Sequence, residues 1–141
     1  MATLLGLVAV VAIAGYIRLA PSDPARWHVL PRANDPWGPW GEVVAGQASA
    51  TLRLLLDGDD ASAMLAQLDA IALATPRTRR LAGGVAAGRI TWITRSALWG
   101  FPDYTTAEVQ VDGIYLFAHL RFGGGDSGVN AARLREWFSQ L

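Results

Sequence analysis

The sequence predicts an α+β protein: an N-terminal single transmembrane helix, then a two-layer domain in which an antiparallel sheet carries two helices on one face. Three observations predict it. The chain opens on an uncharged aliphatic run over residues 1–17. Alternating apolar and polar residues recur in short runs from residue 48 onward, and two stretches at helical spacing interrupt and close that alternation.

The opening run is mostly Leu, Val, Ile, Ala and Gly, and Arg18, Leu19 and Ala20 extend it to residue 20. With Arg18 snorkelling, that length spans a hydrocarbon layer of ~30 Å. A cleaved signal peptide is the competing reading, because Ala12-Ile13-Ala14 has the small-residue pattern of a cleavage site. No basic residue precedes the apolar run, which favours an uncleaved anchor. Residues 21–47 read as a Pro- and Trp-rich connector whose prolines exclude a regular helix or a central strand. Trp27, Trp37 and Trp40 have two readings, as rings at headgroup level or as caps on the domain's core.

Residues 48–141 form the domain. Ala48, Ala50, Leu52, Leu54 and Leu56 alternate with Ser49, Thr51 and Arg53, the pattern of a half-buried strand. Asp57-Gly58-Asp59-Asp60 reads as a turn and helix N-cap rather than a calcium loop, which needs more ligands and a terminal Glu. The helix it starts carries the stripe Ala61, Met64, Leu65, Leu68, Ile71 and Ala72, and Pro76 ends it. Strands follow over residues 77–82 and 89–98. The glycine-rich stretch between them lacks the Lys-Ser/Thr of a phosphate-binding loop and reads as a turn.

Asp112-Gly113, between two alternating runs, predicts a two-residue type I′ hairpin in which Val111 faces Ile114 and Val109 faces Leu116. That register places Tyr104 opposite Arg121, Thr106 opposite His119, Glu108 opposite Phe117 and Gln110 opposite Tyr115. Leu134, Trp137, Phe138 and Leu141 mark a terminal helix capped by Ser127 or Asn130. The element order is β-α-β-β-β-β-α.

Charge is balanced at 12 basic and 12 acidic residues, so no general attraction to nucleic acid is expected. Every cation is arginine. With no cysteine there is no disulfide, thiolate metal site or cysteine nucleophile. His28 and His119 are far apart and neither has a carboxylate at ligand spacing, so neither metal nor cofactor is expected.

The densest stretch is Thr94-Arg95-Ser96-Ala97-Leu98-Trp99-Gly100-Phe101-Pro102-Asp103-Tyr104, a strand-turn-strand corner holding aromatics, Gly, Pro and both charge signs. Trp99, Phe101 and Tyr104, with Trp27, Trp37 and Trp40, are the candidate interaction residues, because stiffly held aromatics concentrate binding energy. Phe101 is expected inside and Trp99 at least partly outside. Arg95 and Asp103 either clamp an anion or pin the corner, Arg95 through Asp103 or a turn carbonyl. The glycine-rich segment at residues 123–128 opens onto a helix start, which adds Ser127 and Asn130 as possible anion or ligand contacts. Ser96, His119 and Asp103 are the residue types of a hydrolase triad. Ser96 lacks the Gly-x-Ser-x-Gly elbow, so no catalytic residue is assigned.

Three of these segments recur together elsewhere. Ala74-Thr75-Pro76-Arg77-Thr78, then Arg95-Ser96-Ala97-Leu98-Trp99-Gly100-Phe101-Pro102-Asp103, then Asp126-Ser127-Gly128-Val129-Asn130 resemble the bacterial and plastid family called domain of unknown function 1499, over residues 48–141. That family's pattern is Pro-Arg-Thr, Arg-Ser-x-Leu-x-Gly-Phe-x-Asp-Asp and Ser-Asp-x-Gly-Val-Asn-x-x-Arg. This chain departs from it at Tyr104, where the second Asp of the corner stands, and at His119-Leu120-Arg121-Phe122, where the family usually has a Ser/Arg-rich run. The resemblance implies an exported or membrane setting and no particular reaction. It places the domain on the periplasmic side of a bacterial inner membrane, whereas Arg18, Arg26 and Arg32 after the span argue for the cytoplasmic side. The leading expectation is a membrane-anchored, non-enzymatic interaction domain, an accessory or assembly subunit docking on a larger membrane protein complex and touching membrane lipid. The alternative is a small-molecule or lipid-binding domain at the membrane surface, with a hydrolase third.

Overall fold

The computed structural model describes residues 2–29, 31, 35–56 and 60–141. Seven of its elements repeat the predicted order: β2 (Ser49–Leu55), α3 (Ala61–Ala74), β3 (Thr78–Gly84), β4 (Arg89–Arg95), β5 (Pro102–Val109), β6 (Gly113–Leu120) and α4 (Val129–Phe138). Three precede them: α1 (Ala2–Leu19), the single turn α2 (Pro24–Trp27) and the two-residue β1 (Val44–Ala45). The strands form one six-stranded antiparallel sheet in the order β1-β2-β6-β5-β4-β3.

Alternation along each strand divides the sheet's faces. Ala50, Leu52, Leu54, Ile90, Trp92, Ala107, Ile114, Leu116 and Ala118 point one way and bury against Leu65, Leu68 and Ala72 of α3 and Ala131, Leu134 and Trp137 of α4. The α3 stripe forms as its spacing predicts, and the Asp60 carboxylate caps it by accepting the Ser62 and Ala63 N–H groups. Asp57, Gly58 and Asp59 lie outside the described residues. At the centre, Trp92 and Trp137 meet edge to face at 5.5 Å. Each indole N–H is satisfied, Trp92 by Asp69 Oδ1 at 2.9 Å and Trp137 by Thr75 Oγ1 at 2.9 Å.

The opposite face is covered by the Pro- and Trp-rich segment, which runs across it as a strap. Trp27 stacks on Tyr104 with centroids 4.5 Å apart, and Ser22 Oγ lies 2.8 Å from the Tyr104 hydroxyl. His28 Nδ1 lies 2.8 Å from Thr91 Oγ1, and Thr51 donates to the Pro36 carbonyl at 2.6 Å. Trp37 and Trp40 both meet Tyr115 edge-on, and the Arg53 guanidinium lies over the Trp40 ring. Of the two readings of these tryptophans, packing on the domain is the arrangement found.

Two expectations are corrected. The two-layer antiparallel domain forms, but the predicted transmembrane helix does not accompany it: among the described residues no helix is long and apolar enough to cross a membrane. Helix α1 has 18 residues, which at ~1.5 Å per residue reach roughly 27 Å, short of a ~30 Å layer. Arg18, which was to snorkel, instead lies against the corner loop beside Gly100.

The hairpin register is also displaced. Val109, not Val111, pairs with Ile114; Glu108 pairs with Tyr115, Thr106 with Phe117 and Tyr104 with His119. The Gln110 N–H donates to the Gly113 carbonyl at 2.8 Å, so the turn centres on Val111 and Asp112, neither of which has positive φ. A two-residue slip preserves the faces, so only Val111 leaves the apolar set, at 104% exposed. Gly113 serves close approach instead of positive φ: a Cβ there would strike the Leu54 carbonyl oxygen and come within 2.7 Å of Trp40. Gly113→Val is therefore expected to cost about 1–3 kcal/mol by overpacking, read as a lower denaturant midpoint, while Val111→Thr leaves the midpoint unchanged. Equal midpoints for the two variants would refute this account of the turn.

Candidate functional site

The corner between β4 and β5 is built by Ser96. Its N–H donates to the Phe101 carbonyl at 3.0 Å, its carbonyl accepts from Gly100 N–H at 3.2 Å, and its hydroxyl accepts from Phe101 N–H at 2.9 Å. Gly100 takes φ +69°, a conformation that favours glycine. Ser96 stands just beyond the end of β4 rather than inside a strand. The corner leaves Phe101 half-buried and Trp99 49% exposed. Tyr104, a candidate for outward contact, is fully buried under Trp27.

Of the two readings of Arg95, pinning through a turn carbonyl is the one found. Its Nη1 donates to the Gly100 carbonyl at 2.8 Å. Asp103 turns to the other face, because Thr94 and Asp103 pair on the helix side of the sheet. There Asp103 Oδ2 accepts from Arg133 Nη2 of α4 at 3.1 Å. Arg133 Nη1 donates to Asn130 Oδ1 at 2.6 Å, and Asn130 Nδ2 donates to Asp126 Oδ2 at 2.7 Å. Asp126 also accepts the Gly128 and Asn130 N–H groups, so it caps α4 in place of Ser127 or Asn130. Asn130 is fully buried, its polar atoms engaged in this chain of bonds, and Ser127 is exposed with φ +53°. The hydrolase constellation is not assembled: Asp103 faces α4, His119 pairs with Tyr104 on the strap side, and the Ser96 hydroxyl serves the turn.

A different group does converge. Arg18, Arg77, Arg79 and Arg95 line one pocket of about 380 Å³, together with Ile93 and the corner residues Ser96, Ala97 and Gly100. The position of each arginine has a local cause. Arg79 pairs with Ile93 on the strap side of the sheet and Arg77 lies two residues before it. Arg77 adopts φ +58°, left-handed for a β-carbon-bearing residue. It is held there by its Nε on the Arg95 carbonyl at 3.1 Å and its own carbonyl on the Arg95 N–H at 3.0 Å. Arg18 comes from the last turn of α1, with its side chain against Gly100.

Among the described residues no Asp or Glu lines the pocket. Among the described residues the ion pairs are Arg80–Asp69, Arg89–Glu108 and Arg133–Asp103, which leaves these four guanidiniums unneutralised. Burial, then the charge of Arg79, lowers the Arg95 pKa from its ordinary value; Arg121 and Arg18 act in the same direction and Tyr104 against it. Of the four, only Arg95 is a candidate contact from the sequence alone. Arg77 stood in the Pro-Arg-Thr motif and was readable as a candidate, whereas the approach of Arg18 and Arg79 carries no local signal.

Burial raises the Asp103 pKa above its ordinary value, against the lowering effects of the Arg133 charge and hydrogen bond. The folded protein therefore holds this proton more tightly than the unfolded chain does. The group's contribution to stability is then greatest below the ordinary Asp pKa and falls as pH rises through the raised folded value. An NMR titration of the carboxyl is expected to show a midpoint above that of an ordinary Asp, and Asp103→Asn to remove this segment of the pH–stability curve. A midpoint at or below the ordinary value would overturn the assignment. Arg133→Leu is expected to cost about 3 kcal/mol or more, because it leaves Asp103 buried without its partner.

A protein-family model described as "Protein of unknown function (DUF1499)" matches residues 22–141. No curated protein and no solved structure matches the chain. The match takes in the strap, the sheet and both core helices, and the three motif segments fall within it: Pro76-Arg77-Thr78 and Arg95 at the pocket, and Asp126 to Asn130 with Arg133 behind the corner. The chain belongs to the DUF1499 family of proteins of unknown function.

Proposed function

We propose that this protein is a non-enzymatic binding domain that takes an anionic group, a carboxylate or a phosphate, in the arginine pocket beside the β4–β5 corner. One observation carries the reading: four arginines line one cavity with no carboxylate among its described lining residues. Gathering like charges is unfavourable, and an anion among them relieves that repulsion. The guanidinium fork also matches carboxylate and phosphate oxygens in pairs, which gives orientation as well as attraction. The walls contributed by Ile93, Ala97 and Gly100 accommodate an uncharged body attached to the anion.

A second reading, an accessory subunit docking on a larger membrane protein complex, is favoured by Leu98 and Trp99, which remain 75% and 49% exposed in the corner loop. The two readings separate on measurement. Calorimetric titration of the full chain with inorganic phosphate is expected to show saturable, salt-sensitive binding that Arg79→Gln weakens roughly tenfold, about the loss of one charge-assisted hydrogen bond. Phosphate and acetate both failing to bind would overturn the proposal. Trp99→Ala is expected to leave phosphate affinity intact and folding stability within about 0.5 kcal/mol of the parent. Loss of a co-purifying membrane complex in that variant would support the docking reading.

A further inference from the structure

The pocket is bordered by apolar groups that the fold leaves uncovered. Arg18 stands one residue before the end of α1, where Tyr16 is 64% and Leu19 is 81% exposed. Earlier in the helix Leu7, Val11 and Ile13 are also well over half exposed. Leu98 and Trp99, both exposed, belong to the loop whose Ala97 and Gly100 line the cavity. The loop and the helix end touch: a Cβ on Gly100 would lie 3.3 Å from Arg18 Cγ. The basic cavity is thus bordered by two elements that carry exposed apolar residues.

Each class of occupant places a different demand on this surface. A free anion in the pocket leaves Leu98, Trp99 and α1 in water, where so many contiguous aliphatic side chains are unfavourable. A protein partner would have to supply both an apolar surface and acidic groups. A bilayer bearing anionic lipid supplies both at once, with phosphates at the depth of the guanidiniums and acyl chains just below. Arginine stems lie along apolar surface while their heads stay among polar groups, and a Trp ring suits the same boundary.

We infer that the arginine pocket and its apolar border form a surface that docks on an anionic lipid bilayer, with a headgroup phosphate seated among Arg18, Arg77 and Arg79. This rests on the anion-binding reading above and names the source of the anion. It requires contact from one side only. Leu98, Trp99 and exposed aliphatic residues of α1 enter the boundary layer, and the sheet domain remains in water above it.

The test is co-sedimentation of the full chain with vesicles of phosphatidylcholine alone and of phosphatidylcholine mixed with phosphatidylglycerol, at low and high salt. The mixed vesicles are expected to bind at least roughly tenfold more tightly, with the difference shrinking at high salt as screening shortens the reach of charge. The Arg18→Gln/Arg79→Gln double variant is expected to lose that preference while keeping the parent's circular dichroism, since among the described residues neither side chain donates to a backbone carbonyl. Should the double variant not fold, the salt dependence of the parent's preference decides the matter by itself. Equal binding to both vesicle types, or a preference unaffected by salt and by loss of the arginines, overturns the inference. Inorganic phosphate bound without any vesicle preference would sink the bilayer docking and leave the anion-binding reading standing; no binding of phosphate and none of the mixed vesicles would remove both.

Discussion

A wide antiparallel sheet needs both of its faces covered when both carry large side chains, and that constraint shapes this protein. Helices α3 and α4 account for one face. The other presents Tyr104, Phe117, His119, Thr51, Thr91 and Thr106, too aromatic to leave in water and too polar to bury against aliphatic helices. An irregular strap meets the requirement because its carbonyls and indole rings can pair with hydroxyls and rings alike. Thr51 donates to the Pro36 carbonyl and Trp27 stacks on Tyr104. Prolines that exclude a ladder strand suit such a strap, since each removes a backbone donor that would otherwise need a partner. Burial of the strap's own His28 against the sheet, and then the Arg89 charge, lowers its pKa against the opposing charge of Glu108, which favours the neutral ring beside Thr91.

The same division of faces sorts the motif residues by role. Consecutive residues at the start of β5 point to opposite sides, so Asp103 goes inward to Arg133 while Tyr104 goes to the strap. The inward set, Asp103, Asn130, Arg133 and Asp126, is a continuous chain of hydrogen bonds tying the corner to the N-terminus of α4. Its carboxylates are matched by donors, which is what low-dielectric burial demands. The outward set, Arg77 and Arg95, is matched only by backbone carbonyls that fix the side chains in place and leave their charge uncompensated. A motif that recurs across a family thus contains both a scaffold and a charged surface. The surface is the part with unsatisfied chemistry.

Glycine shows where sequence reading reaches its limit. Asp112-Gly113 carries a strong hairpin signal, and a hairpin forms there. The signal presumes that glycine supplies positive φ, whereas Gly113 is required by the closeness of Leu54 and Trp40, residues far away in sequence. Register depends on that contact, so it moved by two while the faces held. Conversely Arg77 takes a left-handed conformation with no glycine to announce it, because two hydrogen bonds to the Arg95 backbone hold it.

The α+β class, the order of its seven main elements, the stripe of α3 and the inward faces of β2 and β6 were determined by the sequence alone, because periodicity and capping are local and act within a few residues. Trp99 lies partly exposed as the stiff corner suggests, whereas Phe101, expected inside, is only half-buried. The packing of Trp27, Trp37 and Trp40 on the sheet and the hairpin register were decided by tertiary contacts. So was the pocket, whose arginines come from α1, from β3 and its approach, and from β4. Residues as far apart as Arg18 and Arg95 meet only after β3, β4 and β5 have paired and Gly100 has opened room for Arg18. No pattern within a short window encodes a distance between two such points, because that distance is a property of the assembled sheet.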